Sequence, residues 1–240
     1  MTDYDSRIVD LYDEDNPEGP DHAFFRALAD ERQAHEVLDL GCGTGMLTVR
    51  LATGNRTVVG VDPSPMMIAF AQDRPGAQRA TWVVGDSSSV PRAQFDFAVM
   101  TGNVAQHISD PDWTRTLSDL RASMSAGGTL AFDSRNPSAR AWEGWAAPDR
   151  TSRDTQHGPL VEWMDAELVD DRTVQITAHN LFTRTGDTVT IREALKFRSL
   201  AEVERALRAA DFDIEAVYGD WFRSPFDDSA PIMVFVARAR

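Results

Sequence analysis

EVLDLGCGTGML, Glu36 to Leu47, sets three glycines at alternate positions between a strand-like run and a helix start. A chain gives up side chains in such a place for a backbone reason. Gly41, Gly43 and Gly45 either take a positive φ or clear space for something that approaches the main chain closely. Two kinds of ligand compete for such a loop: a dinucleotide pyrophosphate, or a ligand of quite different charge. The dinucleotide pattern G-x-G-x-x-G uses its third glycine to pack helix against strand, and at that position this chain has Met46.

Outward from the loop, short apolar runs alternate with helical patterns: MLTVRLAT, TVVGVD, PMMIAFAQ, ATWVVGD, FDFAVMTG, DWTRTLSDLRASM and GTLAFDS. Apolar runs without strict alternation suit strands buried on both faces, and their exchange with helices predicts parallel strands joined by crossovers. The expected fold is α/β, a doubly wound, mostly parallel seven-stranded sheet. After Asn136-Pro137 the texture changes. VEWMDAEL, TVQITAHNLFTR and TVTIREALKF follow one another with only turn residues between them, which predicts a β-rich antiparallel insertion over 138–197. Its apolar content is too thin for a core of its own. The α/β pattern resumes with LAEVERALRAADF, IEAVYG and IMVFVAR. The chain thus reads as one domain over 1–240, with an N-terminal helical segment over 1–35 whose first helix begins near Asp21.

Composition narrows the partners. The 240 residues carry a formal net charge of −14, a poor match to the phosphates of nucleic acid. No apolar run approaches the roughly 20 residues of a membrane span, and the acidic N-terminus has no signal-peptide pattern; a cytoplasmic protein is expected. The single cysteine, Cys42, excludes an internal disulfide, sits in no metal-ligand spacing and reads as a small packed residue. No metal is expected.

Three successive strands each end on an acid: Asp39 just ahead of the glycines, Asp62 in VVGVD and Asp86 in WVVGD. Ligands of doubly wound sheets bind at this carboxyl edge. Three carboxylates there repel a pyrophosphate and suit a ligand bearing an ammonium, a sulfonium and a ribose diol. Taken singly, Asp62 and Asp86 also fit as caps of the turns that follow them.

In order and spacing, VLDLGCGTG, VVGVDPS, VVGDSSSVP, FDFAVMTGNVAQHI and SAGGTLAFDSRNP resemble the class I S-adenosylmethionine-dependent methyltransferases with their Rossmann-like fold. The resemblance implies S-adenosylmethionine as cofactor, held by the backbone at Gly41, Gly43 and Gly45, by Asp39 at the amino group and by Asp62 at both ribose hydroxyls. It further implies Asp86 and the main chain of Ser87 at the adenine amine, Met66 or Met67 against the ring, and Thr101 to Asn103 closing over the methionine end. His107 lies in the loop where similar small-molecule enzymes keep a histidine near the acceptor, and with Tyr12 it is the catalytic candidate, for acceptor binding or proton removal. Tyr12, like Tyr4, is taken to precede the first helix in a segment that folds over the acceptor as a lid. Arg135, Trp142 and Trp145 follow the fifth strand, where an acceptor would be lined.

After the fourth strand the chain reads TGNV rather than Asn/Asp-Pro-Pro-Tyr/Phe, no Pro-Cys nucleophile exists, and no acidic metal cluster of the catechol type is seen. A small-molecule acceptor methylated on O or N is therefore expected. The insertion would cap its pocket and can also build a homodimer contact. Two alternatives stay open: a noncatalytic S-adenosylmethionine-binding partner subunit, and a nicotinamide-dependent oxidoreductase.

Overall fold

The computed structural model describes residues 3–91 and 94–240, the side chains of 147–149 excepted. A seven-stranded sheet forms the body. Its strands are β1 (Glu36–Leu40), β2 (Thr57–Asp62), β3 (Ala80–Val84), β4 (Phe95–Met100), β5 (Met124–Arg135), β10 (Phe212–Tyr218) and β11 (Ile232–Ala239), in the order β10-β11-β5-β4-β1-β2-β3. Pairs β1–β2, β1–β4, β2–β3 and β4–β5 are parallel, whereas β11 runs antiparallel to both β5 and β10. The strand order reverses between β1 and β4, so a crevice opens beyond their carboxyl ends.

Both faces of the sheet are covered, which is why its strands read as unbroken apolar runs. Leu38, Ala98, Met100, Phe132 and Phe235 pack on one side with Trp113 and Leu117 of α6 (Asp110–Ser123) and Leu207 of α7 (Leu200–Ala209). Val37, Phe97, Val99 and Val234 pack on the other with Phe25 and Leu28 of α2 (Pro20–Glu31) and Leu47 and Leu51 of α3 (Met46–Leu51). Phe132 is fully buried and stacks on Phe235 at 4.9 Å between ring centroids; burying such a side chain contributes roughly 1.5–3 kcal/mol. Local chemistry sets the helix starts. Ser64 caps α4 (Pro65–Asp73), and Ser199 with Glu202 forms a capping box on α7.

The insertion is a second sheet of four antiparallel strands, β6 (Ala147–Thr155), β7 (Gly158–Leu168), β8 (Thr173–Phe182) and β9 (Asp187–Lys196). One more strand forms than the sequence predicts. APDRTSRDT has no apolar alternation, and β6 is held by its ladder to β7 at the sheet edge.

The insertion borrows its core. Leu160 and Phe182 pack on Leu11 and Ile8 of α1 (Ser6–Asp15), while Val174, Leu195 and Phe197 pack on Trp142 and Trp145. Helix α1 corrects the sequence reading: the first helix begins at Ser6, and Tyr12 lies within it rather than ahead of it. Its polar sequence hides an Ile8/Leu11 stripe that becomes an amphipathic face only where the insertion covers it. Asp5 caps it, and Arg153 pairs with Glu14 and Asp15 at 3.0 and 2.6 Å. Among the described residues, no helix is long and apolar enough to cross a membrane.

Candidate active site

The glycine loop turns sharply out of β1. Gly41, Gly43 and Gly45 all have positive φ, 77°, 52° and 77°, but their surroundings differ. A Cβ on Gly41 would lie 2.5 Å from Val104 and one on Gly45 2.4 Å from the Trp82 ring, whereas one on Gly43 would meet nothing within 4 Å. Gly41 and Gly45 are thus required by packing, and Gly43 faces open space at the crevice.

Beside that space stands Asp62, buried at the end of β2. Its Oδ2 accepts from Gly43 N–H at 2.8 Å and its Oδ1 from Ser64 N–H at 2.9 Å. Two backbone donors fix the carboxylate plane and leave each oxygen with a spare lone pair. Burial raises its pKa, and the two amides partly oppose the rise. Asp39, on β1, accepts from Thr48 Oγ1 at 2.6 Å through Oδ2, while Oδ1 is buried with no protein partner. Burial pushes the Asp39 carboxyl up to about 7. Cys42 is half-buried, and burial next to Asp39 and Asp62 raises its thiol pKa, the opposite of what a nucleophile needs.

Asp86 behaves differently. It is an exposed carboxylate that caps its own turn through Ser88 N–H at 2.9 Å and pairs with Arg115 at 2.9 Å. The side chain of Ser87 is also engaged, donating to Asp119 at 2.7 Å. Of the Met66/Met67 pair, Met67 is buried and Met66 is half-buried, its amide donating to Asp3 at 3.1 Å.

The loop after β4 carries half-buried Thr101 and then Asn103, at φ 63°, whose N–H donates to Asp133 on β5 at 3.0 Å. Asp133 went unremarked in the sequence, although it is a further strand-end acid that the rule finding Asp39, Asp62 and Asp86 would have caught. It is buried, with Oδ1 unpartnered and its carboxyl pushed up to about 7 by burial. Arg135 follows, also buried enough for its pKa to fall; it donates to Gln106 at 2.9 Å and lies 4.8 Å over the Trp145 ring. Trp142 instead packs edge-on against Phe197 at 4.5 Å, and Trp145 also touches Phe197. Trp142 therefore serves the insertion's core, and Trp145 joins that core to Arg135.

His107, at the end of α5 (Val104–His107), and Tyr12 of α1 both lie near Asp62. Burial, with Asp62 and Glu193 nearby, raises the Tyr12 pKa. Glu193, on β9, was invisible as a site residue in the sequence. Its Oε2 lies 3.2 Å from His107 Nδ1 and its Oε1 accepts from Tyr4 Oη at 2.7 Å. The N-terminal segment closes over the cleft through further contacts. Asp3 accepts from Ser64 Oγ at 2.5 Å, and Asp13 accepts from Thr44 Oγ1 at 2.6 Å and pairs with Arg74. Among the described residues, no group of three or more His, Cys, Asp or Glu side chains is placed to hold a metal ion.

The raised carboxyls at Asp39 and Asp133 set an expectation for stability. A folded carboxyl that keeps its proton to higher pH than the unfolded one stabilises below that window and loses the contribution as pH rises. The ligand-free protein should therefore melt at progressively lower temperature as pH rises from about 4 to about 7, between the ordinary value of 3.8 and the folded values. At about 1.4 kcal/mol per pH unit the ceiling is ~4 kcal/mol for each group. Asp39→Asn and Asp133→Asn should flatten the slope in thermal melts, and variants with the wild-type slope would refute the assignment.

Comparison with known proteins agrees with this geometry. The methyltransferase domain family matches residues 37–128. An uncharacterized methyltransferase of Mycobacterium bovis is 33% identical over 138 residues, covering 53% of this chain and 68% of that protein. The magnesium-protoporphyrin O-methyltransferase of Rhodobacter capsulatus is 36% identical over 96 residues, 39% of this chain and only 42% of that protein's length. The CcbJ methyltransferase of Streptomyces caelestis superimposes with a TM-score of 0.79 at 22% identity, over 98% of this chain and 99% of that one; this likeness carries the fold. The chain belongs to the methyltransferase family, with the Rossmann-like architecture of its class I members. The nicotinamide alternative falls with that membership.

Proposed function

We propose that the protein transfers a methyl group from S-adenosylmethionine to a nitrogen or oxygen of a small-molecule acceptor, an amine nitrogen being favoured. The observation that carries the reading is Asp62, fixed by Gly43 and Ser64 amides beside the open face of Gly43. Such a carboxylate is shaped to accept from two neighbouring hydroxyls of a ribose. The buried, unpartnered Asp39 Oδ1 supplies an acceptor for an ammonium, whose charge would draw the carboxyl into its ionised form. Asp86 reaches an adenine amine only by sharing its bonds with Arg115 and Ser88, so Ser87 backbone and Met67 are the better-placed adenine contacts in this reading. Thr101 and Asn103 close the methionine end.

When bound, S-adenosylmethionine supplies a methyl carbon on an already activated sulfonium leaving group, so the protein's main tasks are alignment and exclusion of water. The N-terminal segment, acting as a lid, excludes water through its contacts with Ser64, Thr44 and Glu193. Glu193, held ionised, and Asp62 make the cleft acidic, which attracts a cationic amine. That amine must lose a proton before its nitrogen can attack, and in this reading His107 takes it. Tyr12 and the Arg135–Trp145 pair wall the acceptor.

Calorimetry with S-adenosylmethionine, followed by labelled-methyl transfer to a panel of small amines and alcohols, tests the proposal. A well-folded protein that does not bind S-adenosylmethionine would sink it. His107→Ala should lower kcat by about 100-fold, the usual scale for a lost general base, and leave S-adenosylmethionine affinity within about twofold. Unchanged turnover would remove His107 from the chemistry.

A further inference from the structure

Glu193 is an acid where the strand pattern calls for an apolar residue. On β9 it alternates with Ile191 and Leu195, and Leu195 is buried in the small core shared with Trp142 and Trp145. Its side chain is only 22% exposed. Acids pointing inward from edge strands sometimes serve only to block edge-to-edge pairing, and such a residue needs no particular partners. Glu193 has two, one from each of two distant elements: Tyr4 Oη donates to Oε1 at 2.7 Å, and His107 Nδ1 sits 3.2 Å from Oε2. The adjoining His107 ring and the Tyr4 hydrogen bond hold the carboxyl ionised against the cost of burial. Tyr12 and Asp62 face the same cluster.

We propose that Glu193 is the positioning residue of the acceptor side, holding His107 in the Nδ1–H tautomer so that Nε2 is free to take the acceptor's proton, with Tyr4 locking the carboxylate only when the N-terminal segment is seated. The inference rests on the reading of His107 as the base. Which ring nitrogen of a histidine carries the proton follows from the bond its other nitrogen makes, and a carboxylate can only accept at Nδ1. The proton taken at Nε2 then leaves an imidazolium facing Glu193, whose charge favours it. The insertion thereby does more than cap a pocket: it carries a group that orients the base. The segment at Tyr4 completes the pair, so base orientation and cleft closure are one event.

The imidazole nitrogens of His107, identified among the five histidines by the signal that His107→Ala removes, report the tautomer directly in ¹⁵N-edited spectra near pH 9. The wild type should show the Nδ1–H form. Glu193→Leu should release it toward the Nε2–H form that free histidine prefers, and Glu193→Gln, whose amide oxygen still accepts, should restore it. Glu193→Ala serves where Leu does not fold. Tyr4→Phe should leave the tautomer mixed. With any acceptor turned over by the wild type, Glu193→Leu should lower kcat by about tenfold or more with S-adenosylmethionine affinity unchanged, and add nothing in a His107→Ala background. A wild-type Nε2–H tautomer, or a tautomer unmoved by Glu193→Leu and Glu193→Ala, would overturn the proposal. S-adenosylmethionine calorimetry on the same samples separates the two failures: retained binding with an unmoved tautomer removes only Glu193, and absent binding removes the functional reading itself.

Discussion

Asp62→Ala should give a folded protein whose affinity for S-adenosylmethionine is lower by two to three orders of magnitude. Hydrogen bonds to a charged group contribute about 1.5–3 kcal/mol each, and the proposed ribose contact loses two of them. The variant also strips the acceptor from Gly43 N–H and Ser64 N–H, so the loop that should meet the methionine part loses its brace. The fold itself depends little on this carboxylate. It lies at the end of β2, outside both apolar clusters, and removing a buried acid with a raised pKa relieves a desolvation cost. Asp62→Asn separates the two contributions, since the amide keeps one acceptor oxygen but cannot accept at both positions. Calorimetry should therefore rank wild type, Asn and Ala in falling affinity, with similar melting temperatures. Equal affinity across the three would show that the ribose lies elsewhere and would undo the site as described.

Gly45→Val is expected to abolish cooperative folding. The residue has φ 77°, a conformation that is a genuine outlier for a β-branched side chain. Its first carbon would already lie 2.4 Å from the Trp82 ring and 2.9 Å from Ala71. Neither neighbour can retreat, because Trp82 is pinned by its Nε1–H to Ala77 O at 3.0 Å and Ala71 is fully buried on α4. Strain and overpacking together should exceed ~4 kcal/mol, a large part of the roughly 5–15 kcal/mol that holds a domain. The neighbouring glycine gives the contrast. Gly43→Ala pays only the backbone cost of about 1–2 kcal/mol, since no atom lies within 4 Å of its Cβ, yet it places a methyl where the proposal puts the donor. It should stay folded and bind S-adenosylmethionine poorly. Circular dichroism melts and calorimetry on the pair measure this. A Gly45→Val protein that melts like wild type would mean the loop packs differently.

The contrast between these glycines marks where sequence reading stops. All three share a motif and a positive φ, so the sequence could say that each is a backbone requirement. Whether a given glycine makes room for Trp82, for Val104 or for a ligand depends on side chains from β3 and α5. The acids divide in the same way. Asp39, Asp62 and Asp86 look equivalent at the ends of successive strands, yet Asp39 is buried with a free oxygen, Asp62 is braced at a crevice, and Asp86 turns outward to Arg115 and its own cap. Strand position is a local property. The direction and company of a side chain at the strand's end come from whatever packs there.

The order of strands and helices, the switch to an antiparallel insertion after β5 and the donor-side motif were all determined by the sequence alone, because burial on two faces, burial on one face and sharp turns each impose a local periodicity or residue type. Tertiary structure decided that α1 is a helix, that β6 is a strand and that Tyr4, His107 and Glu193 meet in one cluster. Tyr4 and Glu193 stand 189 residues apart in the chain, each in a local context that gives no sign of the other. A hydrogen bond across that separation exists only once the insertion has folded back over the sheet and the N-terminal segment has found it, so no window of neighbouring residues can encode it in legible form.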